Sequence, residues 1–232
     1  MRNIKITQII AELRALLIKA NFELPEDIIY AVKAAAKVES SQNGRAMLEM
    51  ILENEGIARQ EKLPLCQDCG TVYINLDIGK NVCILSANKN DSFSLLKGGD
   101  KKTCNSNDKK LSKGNNDSFI YDILNFAVAD IYKDFYLRKS IVSDPLFERK
   151  NTSRNTPAII NVNFSEKNGL GIEVNLKGGG SENCSWLFML NPSAGENDII
   201  DIVLNLVKEH VTKACPPVII GIGIGSTASE VV

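Results

Sequence analysis

Residues 64–79 read PLCQDCGTVYINLDIG, and the second half of this stretch decides the fold class. Val72, Ile74, Leu76 and Ile78 alternate with Thr71, Tyr73, Asn75 and Asp77, the two-residue period of a strand covered on one face. Cys66 to Gly70 is then the loop that feeds that strand. Upstream the period is helical. Ile9, Ile10, Leu13, Leu16 and Leu17 recur at helical spacing, and Leu24-Pro25-Glu26-Asp27 opens a second helix with proline at its start and acids in its first turn. A third run over 45–53 carries Met47, Leu48, Ile51 and Leu52.

Downstream, 159–164 and 170–176 read as two further strands, with Lys167-Asn168-Gly169 as a hairpin turn between them. Gly178-Gly179-Gly180 sits at a strand exit. Residues 198–211 form an amphipathic helix through Ile199, Ile202, Val203, Leu206 and Val207, which must end before Pro216 and Pro217. Residues 218–224 then look like a buried strand interrupted by glycines. Helices first and mixed strands and helices behind make a mixed α/β chain, read as one domain over 1–232 with a helical part over 1–60. The stretch 86–117 holds seven lysines, four aspartates and six asparagines; too few apolar groups offset its ordering entropy, so it reads as a flexible surface insertion with Cys104 a bystander.

The whole chain has 232 residues, 44% hydrophobic, enough for a real core. Its 27 basic and 28 acidic residues nearly balance, so no basic field is available to wrap nucleic acid or an anionic membrane. No apolar run approaches the roughly 18 to 20 residues that span a bilayer, and the N-terminus lacks a secretory signal pattern. A cytoplasmic protein whose partner is a small molecule or another protein is the expectation. Six unevenly spaced cysteines fit reduced thiols better than a disulfide framework.

Cys66 and Cys69 form a CxxC with three readings. A redox pair belongs at a helix N-terminus, whereas this one precedes a strand. A structural zinc site needs a second pair, and His210 is the only histidine. The third reading has Cys66, with Cys215, ligate an iron-sulfur cluster: Pro216 and Pro217 fix the chain after Cys215 and remove two backbone donors, which suits a rigid turn aiming a thiolate. Two thiolates are not enough, and Cys184 is a further candidate by position, while Cys83 alternates within a strand and reads as core. The glycines at 178–180 allow close backbone approach to a ligand, but no GK[ST] follows and no GxGxxG opens a helix. Gln67 and Asp68 put an amide and an acid beside Cys66, and Arg138 could pair with a substrate carboxylate through its planar fork.

Taken together these segments resemble the iron-sulfur (class I) fumarate hydratases and the related L-tartrate dehydratases, at the alpha chain or N-terminal domain. The family's CQDTG appears as Cys66-Gln67-Asp68-Cys69-Gly70, its YLRKS and DPLF pieces within 136–147 and its NTPA as 155–158. Its KGGGSEN runs over 177–183, its MLxPSxG over 189–195 and its CPPxxxGxGIGGT over 215–227. The resemblance covers nearly all of the chain outside 86–117. It implies a [4Fe-4S] cluster held by three cysteines, leaving one iron open as a Lewis acid, with Cys66 and Cys215 as two of the ligands. It further implies that Gln67, Asp68, Arg138 and Gly180 contact the substrate and that Asp68 is the catalytic proton-transfer partner. The implied substrate is a C4 dicarboxylate, with fumarate to malate favoured over L-tartrate. The implied partner is a beta subunit or C-terminal domain, in a hetero-oligomer or homodimer.

Two departures qualify the resemblance. Cys69 stands where the family usually has threonine. The family's third cluster cysteine lies many tens of residues beyond the CPP motif, so the expectation is an alpha-type subunit lacking its C-terminal part and inactive alone; a non-catalytic remnant and a zinc-binding module are the alternatives.

Overall fold

The computed structural model describes residues 2–85 and 119–231; the insertion expected over 86–117, with Cys104, lies outside the described residues. The described chain has the mixed α/β character expected of it and divides into two compact units, Met1–Leu176 and Lys177–Val232. In the first, β1 (Arg2–Lys5) leads into α1 (Ile6–Phe22), α2 (Glu26–Val38) and α3 (Gln42–Glu61). These are followed by β2 (Thr71–Gly79), β3 (Val82–Leu85), α4 (Phe119–Asp134), β4 (Ile159–Ser165) and β5 (Leu170–Lys177).

The alternation read in 72–78 is the burial pattern of β2: Val72, Ile74 and Leu76 are fully buried while Thr71, Tyr73 and Asn75 are only partly covered. The buried face meets Ile6, Ile9, Leu13 and Leu17 of α1 and Leu124, Val128 and Ile131 of α4 in one core. Each such side chain contributes roughly 1.5–3 kcal/mol by leaving water. Arg14 ties α1 to α4 through Asp134 at 3.1 Å and Asp130 at 3.6 Å. The third helix is longer than its apolar period suggested. Ser41 Oγ accepts the Gly44 amide at 3.2 Å at its start, and it runs on to bury Ala58.

Three expectations are corrected. The N-terminal residues 2–5 form a strand paired in parallel with β3, Arg2 opposite Val82 through Lys5 opposite Leu85. Four residues with one apolar position carry no period, and the partner lies about 80 positions away. Second, β4 and β5 are not a hairpin: the sheet order is β4-β2-β5, with β2 and β4 parallel. The turn at 167–169 does reverse the chain, but Gly79 at the end of β2 enters it. The Gly79 amide donates to the Gly169 carbonyl at 2.9 Å and the Lys80 amide to the Lys167 carbonyl at 3.2 Å. A Cβ at Gly79 would overlap both of those oxygens.

The second unit contains α5 (Gly179–Glu182), α6 (Glu196–His210), a 3-10 turn (Val211–Ala214) and α7 (Ala228–Val231). The expected amphipathic helix is α6; the Gly195 amide donates to Asp198 Oδ2 at 2.7 Å at its start, and it ends well before Pro216. His210 is the last residue of that helix, stacked on Trp186 with ring centroids 4.8 Å apart. The third correction is 218–224. It forms no strand, and Ile219, Ile220, Ile222 and Ile224 are exposed. Extended apolar sequence becomes a strand only where a neighbouring ladder accepts its backbone groups, and among the described residues none does.

Candidate functional site

In the first unit the loop 66–70 is held at both ends by hydrogen bonds. On the entry side the Leu65 amide donates to the Asn21 carbonyl at 2.9 Å, and Asn54 Nδ2 donates to the Leu65 carbonyl at 3.0 Å. Asn21 is itself buried, its Nδ2 bonded to the Leu17 carbonyl at 2.8 Å. On the exit side Tyr132 Oη donates to the Cys69 carbonyl at 2.7 Å and Asn155 Nδ2 to the Gly70 carbonyl at 3.0 Å. Gly70 has φ 67°, a left-handed conformation that glycine adopts without Cβ strain. Asp68 Oδ1 accepts the Gly70 amide at 3.1 Å and closes the loop on itself. The anchored ends leave Cys66 and Gln67 exposed between them.

Cys69 is the inward member of the pair. Its thiol is buried and points toward the Cys66 carbonyl at 3.8 Å. Burial pushes its pKa up, partly opposed by a hydrogen bond from the Arg138 backbone amide; the nearby Cys66 and Asp68 push it further up and the Arg138 charge pulls it down. A neutral thiol is thus favoured at Cys69. The same relations put Arg138 beside this loop. Leu137, next to it, is buried in the core and bonded through its amide to the Tyr132 carbonyl at 3.1 Å, so the chain is fixed one residue before Arg138 turns outward to solvent. The segment that follows folds back through the antiparallel bridge of Val142 with Asn151, and Asn151 Nδ2 donates to the Lys139 carbonyl at 2.7 Å.

Of the residues singled out in the sequence, Cys66, Gln67, Asp68 and Arg138 thus lie around one anchored loop in the first unit. Gly180 and Cys215 lie together in the second. A Cβ on Gly180 would overlap the Lys213 carbonyl oxygen, so only glycine allows α5 to pack against the 3-10 turn that leads into Cys215. Cys215 is exposed and has φ 55°, a left-handed rather than extended backbone ahead of Pro216 and Pro217. Cys184 is half-buried, its thiol donating to the His210 carbonyl at 3.4 Å. Among the described residues no three His, Cys, Asp or Glu side chains stand together as a metal site.

Tyr132, Asn155, Asn21 and Asn54 were not singled out by their chemistry. Nothing in a one-dimensional pattern marks a buried tyrosine as a carbonyl anchor. Asn155 had one signal, an asparagine in a turn-rich stretch before Thr156-Pro157, where a short amide tolerates left-handed backbone.

The sequence profile described as fumarate hydratase (Fumerase) matches residues 10–105 and 108–232. A Methanocaldococcus jannaschii protein provisionally named L(+)-tartrate dehydratase subunit alpha is 33% identical over 228 residues, covering 97% of this chain and 68% of that protein. The L(+)-tartrate dehydratase subunit alpha of Escherichia coli K12 is 24% identical over 227 residues, covering 96% of this chain, and the chain spans 63% of its length. The protein of the same name from Shigella sonnei matches with the same identity and coverage. Among the described residues, no helix is long and apolar enough to cross a membrane.

Proposed function

The chain belongs to the fumarate hydratase family, and on that premise we propose that it is the alpha-type part of a hydro-lyase acting on a four-carbon dicarboxylate, its two units belonging to one catalytic domain. The observation that carries this reading is the anchored loop with Gln67 and Asp68 beside Arg138. Adding or removing water across a carbon–carbon bond flanked by carboxylates needs a cation to hold a carboxylate and a group to move one proton. Arg138 supplies the first through its planar fork. Asp68 supplies the second as proton partner, Gln67 adds an amide for orientation, and Gly180 is the further substrate contact that the resemblance implies.

The cofactor in this reading is a [4Fe-4S] cluster, whose open iron supplies Lewis acidity to a substrate oxygen. Cys66 and Cys215 suit it as exposed thiols on constrained backbone. They are a partial ligand set, since the resemblance implies three cysteines. The partner in this reading is a beta subunit, because the relatives are named alpha subunits.

Fumarate to malate is the favoured substrate pair, and the motifs themselves do not separate it from L-tartrate. L-tartrate is a second reading, favoured by the names of the curated relatives. The test is anaerobic co-purification with a family beta subunit, cluster reconstitution, and assay of fumarate hydration and L-tartrate dehydration side by side. Turnover of either, lost on Cys66→Ser, supports the proposal. Iron-loaded complex inactive on both would sink it.

A further inference from the structure

We propose that Asn155 is a positioning residue that sets the placement of the Cys66-Gln67-Asp68 loop relative to Arg138. The inference rests on the hydro-lyase reading for its functional consequence and on geometry for the placement. The Asn155 side chain is wholly buried, and the two ends of its amide bond to the backbone of two separate segments. Its Nδ2 donates to the Gly70 carbonyl at 3.0 Å, at the exit of the loop. Its Oδ1 accepts the Ser140 amide at 2.8 Å, two residues after Arg138. The Tyr132 hydroxyl, close enough to Asn155 to feel its amide, holds the Cys69 carbonyl at 2.7 Å.

One amide therefore joins the two segments that present the acid and the arginine, and a hydroxyl doubles the anchor one residue earlier. The backbone of Asn155 has φ 57°, so its side chain enters from a left-handed turn. A residue kept only for packing would not need a two-sided donor and acceptor at a strained backbone position. Glutamine has the same amide one methylene longer, and it would carry the Gly70 and Ser140 contacts apart.

Asn155→Gly tests this because glycine accepts the same φ without strain while both side-chain bonds are lost. The folded full chain is alkylated with iodoacetamide, and modification of Cys69 is compared by peptide mass spectrometry with that of Cys83, a half-buried cysteine in β3 outside this network. With the anchors gone the loop opens locally, and the Cys69 to Cys83 ratio rises at least about tenfold. Tyr132→Phe, which keeps the shape and removes one anchor, raises the ratio by a smaller factor and serves if the glycine variant does not fold. An unchanged ratio, or equal acceleration at both cysteines, overturns the proposal.

A second readout uses the reconstituted complex with a beta subunit. For whichever of fumarate or L-tartrate is turned over, Asn155→Gly raises KM by a larger factor than it lowers kcat, since the carboxylate-binding arginine has moved. Equal loss in kcat and kcat/KM with unchanged KM counts against positioning of Arg138. A wild-type complex inactive on both substrates sinks the hydro-lyase reading alone, while the alkylation ratio still decides the placement.

Discussion

Replacing Tyr132 with phenylalanine removes one oxygen from the interior and changes almost nothing in shape. The hydroxyl is wholly buried and donates to the Cys69 carbonyl at 2.7 Å. Burial, with Cys69 and Asp68 nearby, raises the phenol far above its ordinary value against a hydrogen bond from Asn155 that lowers it, so it remains a neutral donor at any working pH. Phenylalanine keeps the ring packing, and the cost is the carbonyl left without its donor. A buried acceptor orphaned in this way costs about 1–3 kcal/mol. With a urea dependence of about 2 kcal/mol per molar for a unit of this size, the unfolding midpoint falls by about 0.5–1.5 M. The control is Tyr136→Phe, at a tyrosine that is 93% exposed and should shift the midpoint negligibly. Equilibrium urea unfolding followed by far-ultraviolet circular dichroism checks both. Equal midpoints for the two variants, or a lower slope instead of a lower midpoint, would refute the claim that this hydroxyl secures the loop.

Gly180→Ala drives a methyl into the Lys213 carbonyl and should cost about 1–3 kcal/mol in the second unit. Trp186, the only tryptophan, stacks on His210 in that unit, so its fluorescence transition shifts to lower urea; an unmoved transition would contradict this. Asp130 has its pKa raised, by burial first, then opposed by Arg14. A raised carboxyl binds its proton more tightly folded than unfolded, so its stability contribution is full below the ordinary aspartate value and declines as pH rises through the folded value. Asp130→Asn therefore flattens that limb of the stability–pH curve measured by urea titration; parallel curves for the two proteins would contradict it. Arg138→Lys keeps the charge on an exposed side chain and loses the planar fork. In an active complex KM should rise by about tenfold, worth about 1.4 kcal/mol, with the unfolding midpoint unmoved; an unchanged KM removes Arg138 from the site.

How much of this was legible depended on the range of the interaction. The strand at 71–79 and the helices around Leu13, Glu26 and Ile202 were readable because period, capping and proline are properties of neighbouring residues. The turn at 167–169 was legible as a turn, and its consequence was not: whether two arms pair or admit a third strand depends on Gly79, about 90 positions earlier. The isoleucines of 219–224 show the same limit, since a strand signal is a demand for partners and says nothing of their presence.

The chemistry-bearing residues followed the same division. Cys66, Gln67, Asp68, Arg138, Gly180 and Cys215 could be proposed from their residue types and from ordered motifs, because identity at fixed short spacings is a property of the sequence itself. That Arg138 lies beside the Cys66–Gly70 loop, that Cys69 is inward and Cys66 outward, and that Asn155 and Tyr132 hold them there, came only from the tertiary structure. Those relations are made by hydrogen bonds between groups 15 to 85 positions apart, and a buried polar group reveals its partner only once the chain has folded around it.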